Sequence, residues 1–436
     1  MNKQRKPLYW TRLDNAAKIY PAARRKNWSS VYRLSATLLE KVDVEVLQSA
    51  LNVTVKRFPT ICARLRKGLF WYYLQELRKA PDLREEYSYP LTFMNKAEMN
   101  RCAFRVIAYE ERIAVEFFHS LTDGNGAMVF VKSLVAEYLE QKHHIQIPCE
   151  YGILDRREPP RPEEMEDCFP KNAGAVPASR KDTVAWRMTG EPAGGGFLTV
   201  TGFQIPLREA LDLAHKYGVS LTVFFSSVLM MALMNWQNQV VTSKRKLKPI
   251  KLMIPINLRR LFPSQTLRNF SMYVTPEIDP RLGEYTLEEI CKIVCYKMGM
   301  ENTAKHMSRV IATNVNDEKN PLVRLIPLPI KNMVMKAVFN RVGEKLSCLS
   351  LSNLGAVELP AVMKSYVKRF DFILDVQATA PYNCSMLSYG DTLYFNFIRN
   401  TGDAVLERHF YAILQELGLP TTVESNQKRG EESCTV

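Results

Sequence analysis

Among the 436 residues there is no CxxC pair, no HExxH, no GxSxG elbow and no Walker A loop, and Gly124-Asn125-Gly126 continues into Ala, Met and Val instead of completing GxGxxG. These absences exclude a CxxC zinc or dithiol site, a metalloprotease helix, a hydrolase nucleophile elbow and glycine-rich phosphate cradles. The nine cysteines are an odd, scattered set. Cys291 and Cys295 stand at i,i+4, the spacing of small apolar residues on one helix face, and nothing nearby supplies further ligands, so reduced thiols and no metal are expected. The N-terminus, MNKQRKPLYWTRLD, has the charge of a signal peptide but no apolar run behind it. With reduced thiols, this points to the cytoplasm. Long apolar runs are also scarce. The one uncharged stretch of 19 residues, Gly218 to Trp236, is near the minimum for a membrane span. Ser220 or Thr222 can cap it and two serines interrupt it, so it is expected to be a core helix and no transmembrane segment is expected.

Acidic residues are short as well: 59 Lys+Arg face 45 Asp+Glu, a net charge of +14. That excess fits nucleic acid, an anionic membrane surface or an anionic small molecule. No nucleic-acid-binding motif accompanies the charge, so no nucleic acid is expected. What is present is the composition of a folded protein, 46% hydrophobic, 24% charged and 10% aromatic, long enough for two to three domains.

The periodicities predict an α+β or α/β pattern, an α/β fold built as an α+β two-layer sandwich. A strand-like VYRLSATLLE leads into a helical pattern, VDVEVLQSALNVTVKRFP, and then into aromatic and β-branched runs around LFWYYLQEL and PLTF. AFRVIAYE and RIAVEFF read as a hairpin or as neighbouring strands, and after HSLTDGNG the run AMVFVKSLVAEYLE has helical spacing. A Pro-, Gly- and charge-rich segment then breaks the pattern. Beyond it come strands FLTVTGFQIP, IKLMIPINL and NFSMYVTPEI, helices near 286–305, strands around LSCLSLSNLG, FDFILDVQAT and TLYFNFI, and a last helix ending at Gly418. The expected division is 1–150 as a first lobe, 151–195 as a crossover, 196–423 as a second lobe and 424–436 as a disordered tail.

The segment that carries chemistry is His119-Ser-Leu-Thr-Asp123-Gly124, at the exit of a strand and before a helix. Strand and helix fix the backbone on both sides, the glycines permit close approach, and a histidine is largely neutral at pH 7 and able to accept a proton. In a chain with six histidines, HxxxDG arises by chance roughly 0.01 times. A DG turn beside an incidental histidine satisfies the same pattern. The other histidines sit among polar or basic residues and read as structural or exposed.

HSLTDG after an apolar strand, SNLG at Ser352 to Gly355, PINLRRLFP at Pro255 to Pro263 and RNF at Arg268 to Phe270 together resemble the superfamily of chloramphenicol acetyltransferase, BAHD acyltransferases and nonribosomal peptide condensation domains, most of all its bacterial alcohol acetyltransferase branch. The resemblance runs from RLDNAAKIYP to about residue 420. Phe118 stands where condensation domains carry a first histidine, and DFGWG is missing, which favours a stand-alone acyltransferase. The resemblance implies two lobes with mixed sheets and an active-site tunnel between them. It implies an acyl-CoA co-substrate with no bound cofactor, an alcohol or amine acceptor, and an acyl carrier protein as the alternative donor. His119 would act as general base with Asp123 and Gly124 in its loop. By the same resemblance Asp123 pairs with an arginine, for which Arg33 and Arg259 are candidates, instead of orienting His119. Ser352, Asn353 and Gly355 would line the tunnel and stabilise the oxyanion, where a plain strand-end turn is the alternative. Lys244, Arg245 and Arg259 are candidates for holding CoA phosphates, where Lys244 and Arg245 otherwise belong to a solvated basic loop. A non-catalytic binding module of the same fold is the remaining alternative.

Overall fold

Much of the expected alternation of helical and extended patterns is present among the described residues. In the computed structural model, residues 8–427 are described except 26, 27, 29, 178–182, 320, 340–343 and 378–379. The first half runs β1 (Trp10–Arg12), α1 (Ile19–Ala23), β2 (Val31–Leu38), α2 (Val44–Thr54), β3 (Ala63–Lys67), β4 (Tyr72–Glu76), β5 (Arg84–Glu85), α3 (Lys96–Arg101), β6 (Phe104–Tyr109), β7 (Arg112–Phe118) and α4 (Gly124–His143). The second half runs β8 (Thr199–Pro206), α5 (Leu207–Lys216), α6 (Leu221–Val240), β9 (Ile250–Asn257), β10 (Ser271–Val274), β11 (Glu277–Ile278) and α7 (Leu287–Glu301). It continues through α8 (Ala304–Lys319), α9 (Pro321–Leu325), α10 (Leu328–Val338), β12 (Leu349–Ala356), α11 (Ala361–Lys364), β13 (Val367–Leu374), β14 (Tyr382–Tyr389), β15 (Thr392–Arg399), α12 (Val405–Glu416) and β16 (Thr422–Ser425).

Three sheets result: β1-β4-β3, β13-β2-β7-β6-β5, and an eight-stranded sheet β10-β9-β12-β14-β15-β8-β16 with β11 also on β9. The large sheet is mixed, because β12 lies parallel to both β14 and β9 while its other pairs are antiparallel. Each half has its own apolar core. The first is built on α4, α2 and the five-stranded sheet, the second on α6, α12 and the large sheet. The β6–β7 hairpin turns at Glu110, which takes a positive φ of 48°.

The uncharged run forms most of α6, capped by the Ser220 side chain accepting from the Val223 N–H, and most of its apolar residues are buried in the second core. Among the described residues no single helix is long and apolar enough to cross a membrane; α5 and α6 together pass by composition only and are bent by 82°. Eight cysteines are free, Cys434 lies outside the described residues, and among those described no cluster of three or more His, Cys, Asp or Glu could hold a metal ion.

Several sequence-based expectations need correction. PLTF at 90–93 is not a strand, since Leu91 takes a positive φ of 61° and its N–H goes to the Glu116 carboxylate instead of a ladder. β14 was not foreseen, because it is buried along nearly its whole length and so shows no alternation. The tail expected from 424 begins inside β16, where Glu424 and Ser425 pair with Gly202 and Thr201; residues 428–436 lie outside the described residues. The lobe boundary at 196 is crossed by β13, which pairs with β2 over its whole length. The crossover itself is anchored, by Arg57 to Glu164 and by Arg156 to Glu137 and Glu140, all at buried or nearly buried sites.

Candidate active site

β7 carries the chain to Phe118, and the His119 N–H donates to the Ser30 carbonyl (3.0 Å), which continues the pairing with the β2 side. Beneath the loop, Glu116 of β7 accepts from Arg33, Arg105 and the Leu91 N–H. Two arginines on one buried carboxylate, at the last turn of strand before His119, fix that strand end. The His119 ring is stacked on Tyr20 (centroids 4.3 Å, planes 16° apart) and meets the edge of Tyr32 at 4.9 Å. Burial between these rings lowers the imidazole pKa from its ordinary value; its own backbone, Asp123 and Asn269 oppose that only in part. A histidine kept neutral this way is able to accept a proton.

Its orientation is set from the other lobe. His119 Nδ1 lies 3.3 Å from Asn269 Oδ1, and Asn269 Nδ2 donates to Asp14 Oδ2 at 3.3 Å. An ionised carboxylate only accepts, so the Asn269 amide nitrogen must face Asp14 and its oxygen must face the imidazole. Nδ1 then carries the proton, and Nε2 keeps the free lone pair. Asp14 is wholly buried, also accepts from the Ala17 N–H (2.8 Å), and has Arg268 Nε at 3.7 Å; burial raises its pKa to about 6.

Asp123 does different work. Its Oδ1 accepts from the Gly126 N–H (3.1 Å) and so caps α4, while Oδ2 accepts from Arg259 Nη1 (2.8 Å) and the Phe270 N–H (2.9 Å). Thr122 Oγ1 donates to the Leu267 carbonyl at 2.6 Å. The loop of the first lobe is therefore held by the segment 259–270 of the second. A Cβ on Gly126 would lie 2.2 Å from Thr122 Oγ1 and 2.3 Å from the Leu267 oxygen, so only glycine fits that clamp. Gly124 contacts the SNLG segment, with a Cβ there meeting Leu354 Cδ2 at 2.6 Å.

In SNLG, Asn353 donates through Nδ2 to Thr222 Oγ1 (2.9 Å) and accepts from the Gly355 N–H (2.7 Å), and Gly355 has a positive φ of 78°. The Asn353 amide is thus engaged in shaping the end of β12, where the strand bulges. Ser352, half-buried, retains its hydroxyl among the described contacts.

No family model matches the sequence, and no curated protein matches it. Solved structures do. Polyketide synthase associated protein 5 from Mycobacterium tuberculosis superposes with a TM-score of 0.61 at 12% identity, covering 93% of this chain and 96% of that one. The trichothecene 15-O-acetyltransferase of Fusarium sporotrichioides gives 0.61 at 9%, with 94% of each chain covered. The first condensation domain of the CDA synthetase gives 0.58 at 14%, covering 94% and 96%. The chain shares the mixed α/β fold of these three proteins.

Within this fold the residues singled out from the sequence fall into two sets. His119, Asp123, Gly124 and Arg259 come together with the SNLG strand end. Arg33 does not reach Asp123 and instead joins Glu116 and Glu86. Lys244 and Arg245 are also apart from the loop: they form an exposed turn before β9, and Arg259 follows its far end, across roughly 25 Å of strand. Of the three candidates for holding CoA, Arg259 is engaged by Asp123, Asn257 and two backbone carbonyls. Sequence reasoning missed Asp14 and Asn269 as partners of the histidine. Both sit in segments that carry the superfamily resemblance, RLDNAAKIYP and RNF, as polar residues inside apolar surroundings.

Proposed function

We propose that this chain is an acyltransferase in which His119 is the general base, moving an acyl group from acyl-CoA to an alcohol or amine. The observation that carries the reading is the neutral, oriented imidazole: stacked on Tyr20, depressed in pKa by burial, and fixed through Asn269 with Nε2 free to take a proton. In the reaction, Nε2 accepts the proton of the acceptor hydroxyl or amine as that atom attacks the thioester carbonyl. The C–S bond then breaks, and the proton passes to the departing thiolate. No covalent enzyme intermediate is required. The Ser352 hydroxyl is positioned at the strand end that meets the HxxxDG loop and serves as donor to the tetrahedral oxyanion. A tunnel between the lobes would admit the two substrates from opposite sides. One solved structure of the same fold, TRI101 of F. sporotrichioides at 9% identity and TM-score 0.61, is complexed with coenzyme A and T-2, which supports CoA as the donor carrier. A cytoplasmic location belongs to the same reading.

The test is acylated product and CoA release measured by mass spectrometry, with acetyl- to octanoyl-CoA and a pooled alcohol and amine panel. Wild type yields product, and a folded His119→Ala loses about 10²- to 10⁴-fold, the range of a general base. Equal rates in both proteins would remove His119 from the mechanism. Turnover only with acyl-pantetheine on a carrier protein would move the donor to the condensation-domain type.

A further inference from the structure

The three-stranded sheet β1-β4-β3 has one face in the first core and one face outside it. Its register sets Trp10, Gln75 and Arg64 in one row across the strands and Arg12, Tyr73 and Arg66 in the next. Side chains alternate along a strand, so these six share a face, while Leu65 and Leu74 point the other way and are buried in the first core. The outward face thus carries three arginines and two aromatic rings, with no Asp or Glu in either row. Gln75 holds two of the arginines side by side: its Oε1 accepts from Arg64 Nε at 3.0 Å and from Arg66 Nε at 3.4 Å. The outer nitrogens of both guanidinium groups have no hydrogen-bond partner among the described residues.

Arg64 and Arg66 meet Lys67 and Arg78 around an open hollow of about 660 Å³ whose lining contains no Asp or Glu. Among the described residues none of these four cations has a carboxylate within ion-pair reach. Other arginines of the chain are treated differently: Arg33, Arg57, Arg105, Arg156 and Arg399 are buried, and each meets a glutamate. Partial burial, and after it the charges of Arg66 and Arg78, lower the Arg64 pKa from its ordinary value, which Tyr73 opposes only in part. Like charges gathered without a counter-ion repel, so the arrangement favours an anion in the hollow. Three guanidinium groups call for more than one negative charge, and the arginine fork matches phosphate oxygens two at a time. Size argues for a small molecule, because about 660 Å³ lies in the range of ligand pockets. The single-signed lining also ends at Arg78: the adjoining hollow, which shares Arg78, contains Glu76 and Asp82 beside Lys56 and Lys79. A nucleic-acid strand would need a longer basic track. Beside the arginines, Trp10 is 58% exposed and meets Tyr73 edge to face at 6.0 Å, which leaves an indole surface open to a planar base.

We propose that the outward face of β1-β4-β3 binds a nucleoside diphosphate group, with the phosphates on Arg64, Arg66 and Arg78 and the base on Trp10. A free nucleotide and the ADP portion of coenzyme A present the same chemistry. None of these residues belongs to the His119 site, so binding here stands or falls apart from acyl transfer.

The experiment is calorimetric titration of the full chain with ADP, inorganic pyrophosphate and coenzyme A. Wild type binds ADP more tightly than pyrophosphate, and more weakly as salt is raised. Arg64→Gln with Arg66→Gln weakens ADP about a hundredfold, at roughly tenfold per lost arginine. The melting temperature of the free protein does not fall in that variant, since neither arginine has a carboxylate to lose. Trp10→Ala weakens ADP about tenfold and pyrophosphate little. Displacement of ADP by coenzyme A, absent in the arginine pair, assigns the coenzyme as the source, and ADP binding that coenzyme A leaves in place assigns a free nucleotide. No ADP binding by wild type at millimolar concentration overturns the proposal, as does ADP binding that the arginine pair leaves unchanged, or equal affinity for ADP and pyrophosphate. Single-stranded DNA held more tightly than ADP, and released in the same arginine pair, would assign the face to a nucleic acid and also overturn it.

Discussion

Asn269 has a single amide orientation that satisfies both neighbours, and that orientation holds only while Asp14 is ionised. Once Asp14 takes a proton it becomes a donor as well, the amide is free to turn, and the Nδ1–H of His119 loses its defined acceptor. Burial raises Asp14 to about 6, so this switch falls near pH 6, while burial lowers the His119 pKa from its ordinary value. We therefore expect the acid limb of kcat/KM to lie near pH 6 and to report Asp14. Asp14→Asn keeps an accepting oxygen toward Asn269 and removes the titration, so its limb moves to lower pH. An unchanged limb in that variant would refute the assignment. Asn269→Ala leaves the imidazole unheld and is expected to lower kcat about a hundredfold with little change in KM. The same two groups act on stability with opposite signs. Between the ordinary 3.8 and about 6 the folded chain holds the Asp14 proton that the unfolded chain has released, so stability falls as pH rises through that window. Between its lowered value and 6.5, His119 is charged only in the unfolded chain, so its contribution rises with pH.

At the level of elements, the turn from β7 to α4 is a first-lobe loop whose contacts are supplied by the second. Asp123→Asn keeps the shape but removes the charge opposite Arg259 in a mostly buried pair, a change expected to cost about 3 kcal/mol. Melting temperature measured beside activity checks this: a pure rate loss at unchanged stability would make Asp123 a partner of the chemistry instead of the loop. The two glycines separate further. Gly126→Ala drives a Cβ into backbone and must displace the loop, lowering both stability and kcat, whereas Gly124→Ala meets the end of the flexible Leu354 side chain and is tolerated better. Here the sequence was readable in part. HSLTDGNG shows a histidine at a strand exit and glycines that permit close approach because those are local patterns. Arg259 and Asn269 stand 136 and 150 residues from their partners, and no periodicity encodes a contact of that range. β14 escaped for a different reason: a strand buried on both faces loses the alternation that marks a half-buried one.

For the whole molecule, composition suggests a division at the crossover, yet strand pairing runs across it. β13, from the second half, closes the free edge of β2, and its Phe370 and Phe372 lie in the first core with Val357, Leu359 and Met363. Composition cannot show this, since a strand reads the same whichever sheet receives it. The physical consequence is that a fragment of residues 1–195 would carry an open β2 edge, a first core lacking those side chains, and an HxxxDG loop without Arg259 or Asn269. Such an exposed apolar edge favours association with other chains over folding. We expect the fragment 1–195 to show no cooperative thermal transition and to aggregate, and co-expression with 196–436 to restore a single transition seen alike by near-UV circular dichroism and by calorimetry. A cooperative melt of 1–195 alone would show that the first lobe is stable without its borrowed strand, and that β13 and the Asp123 clamp serve the site without holding the lobe together.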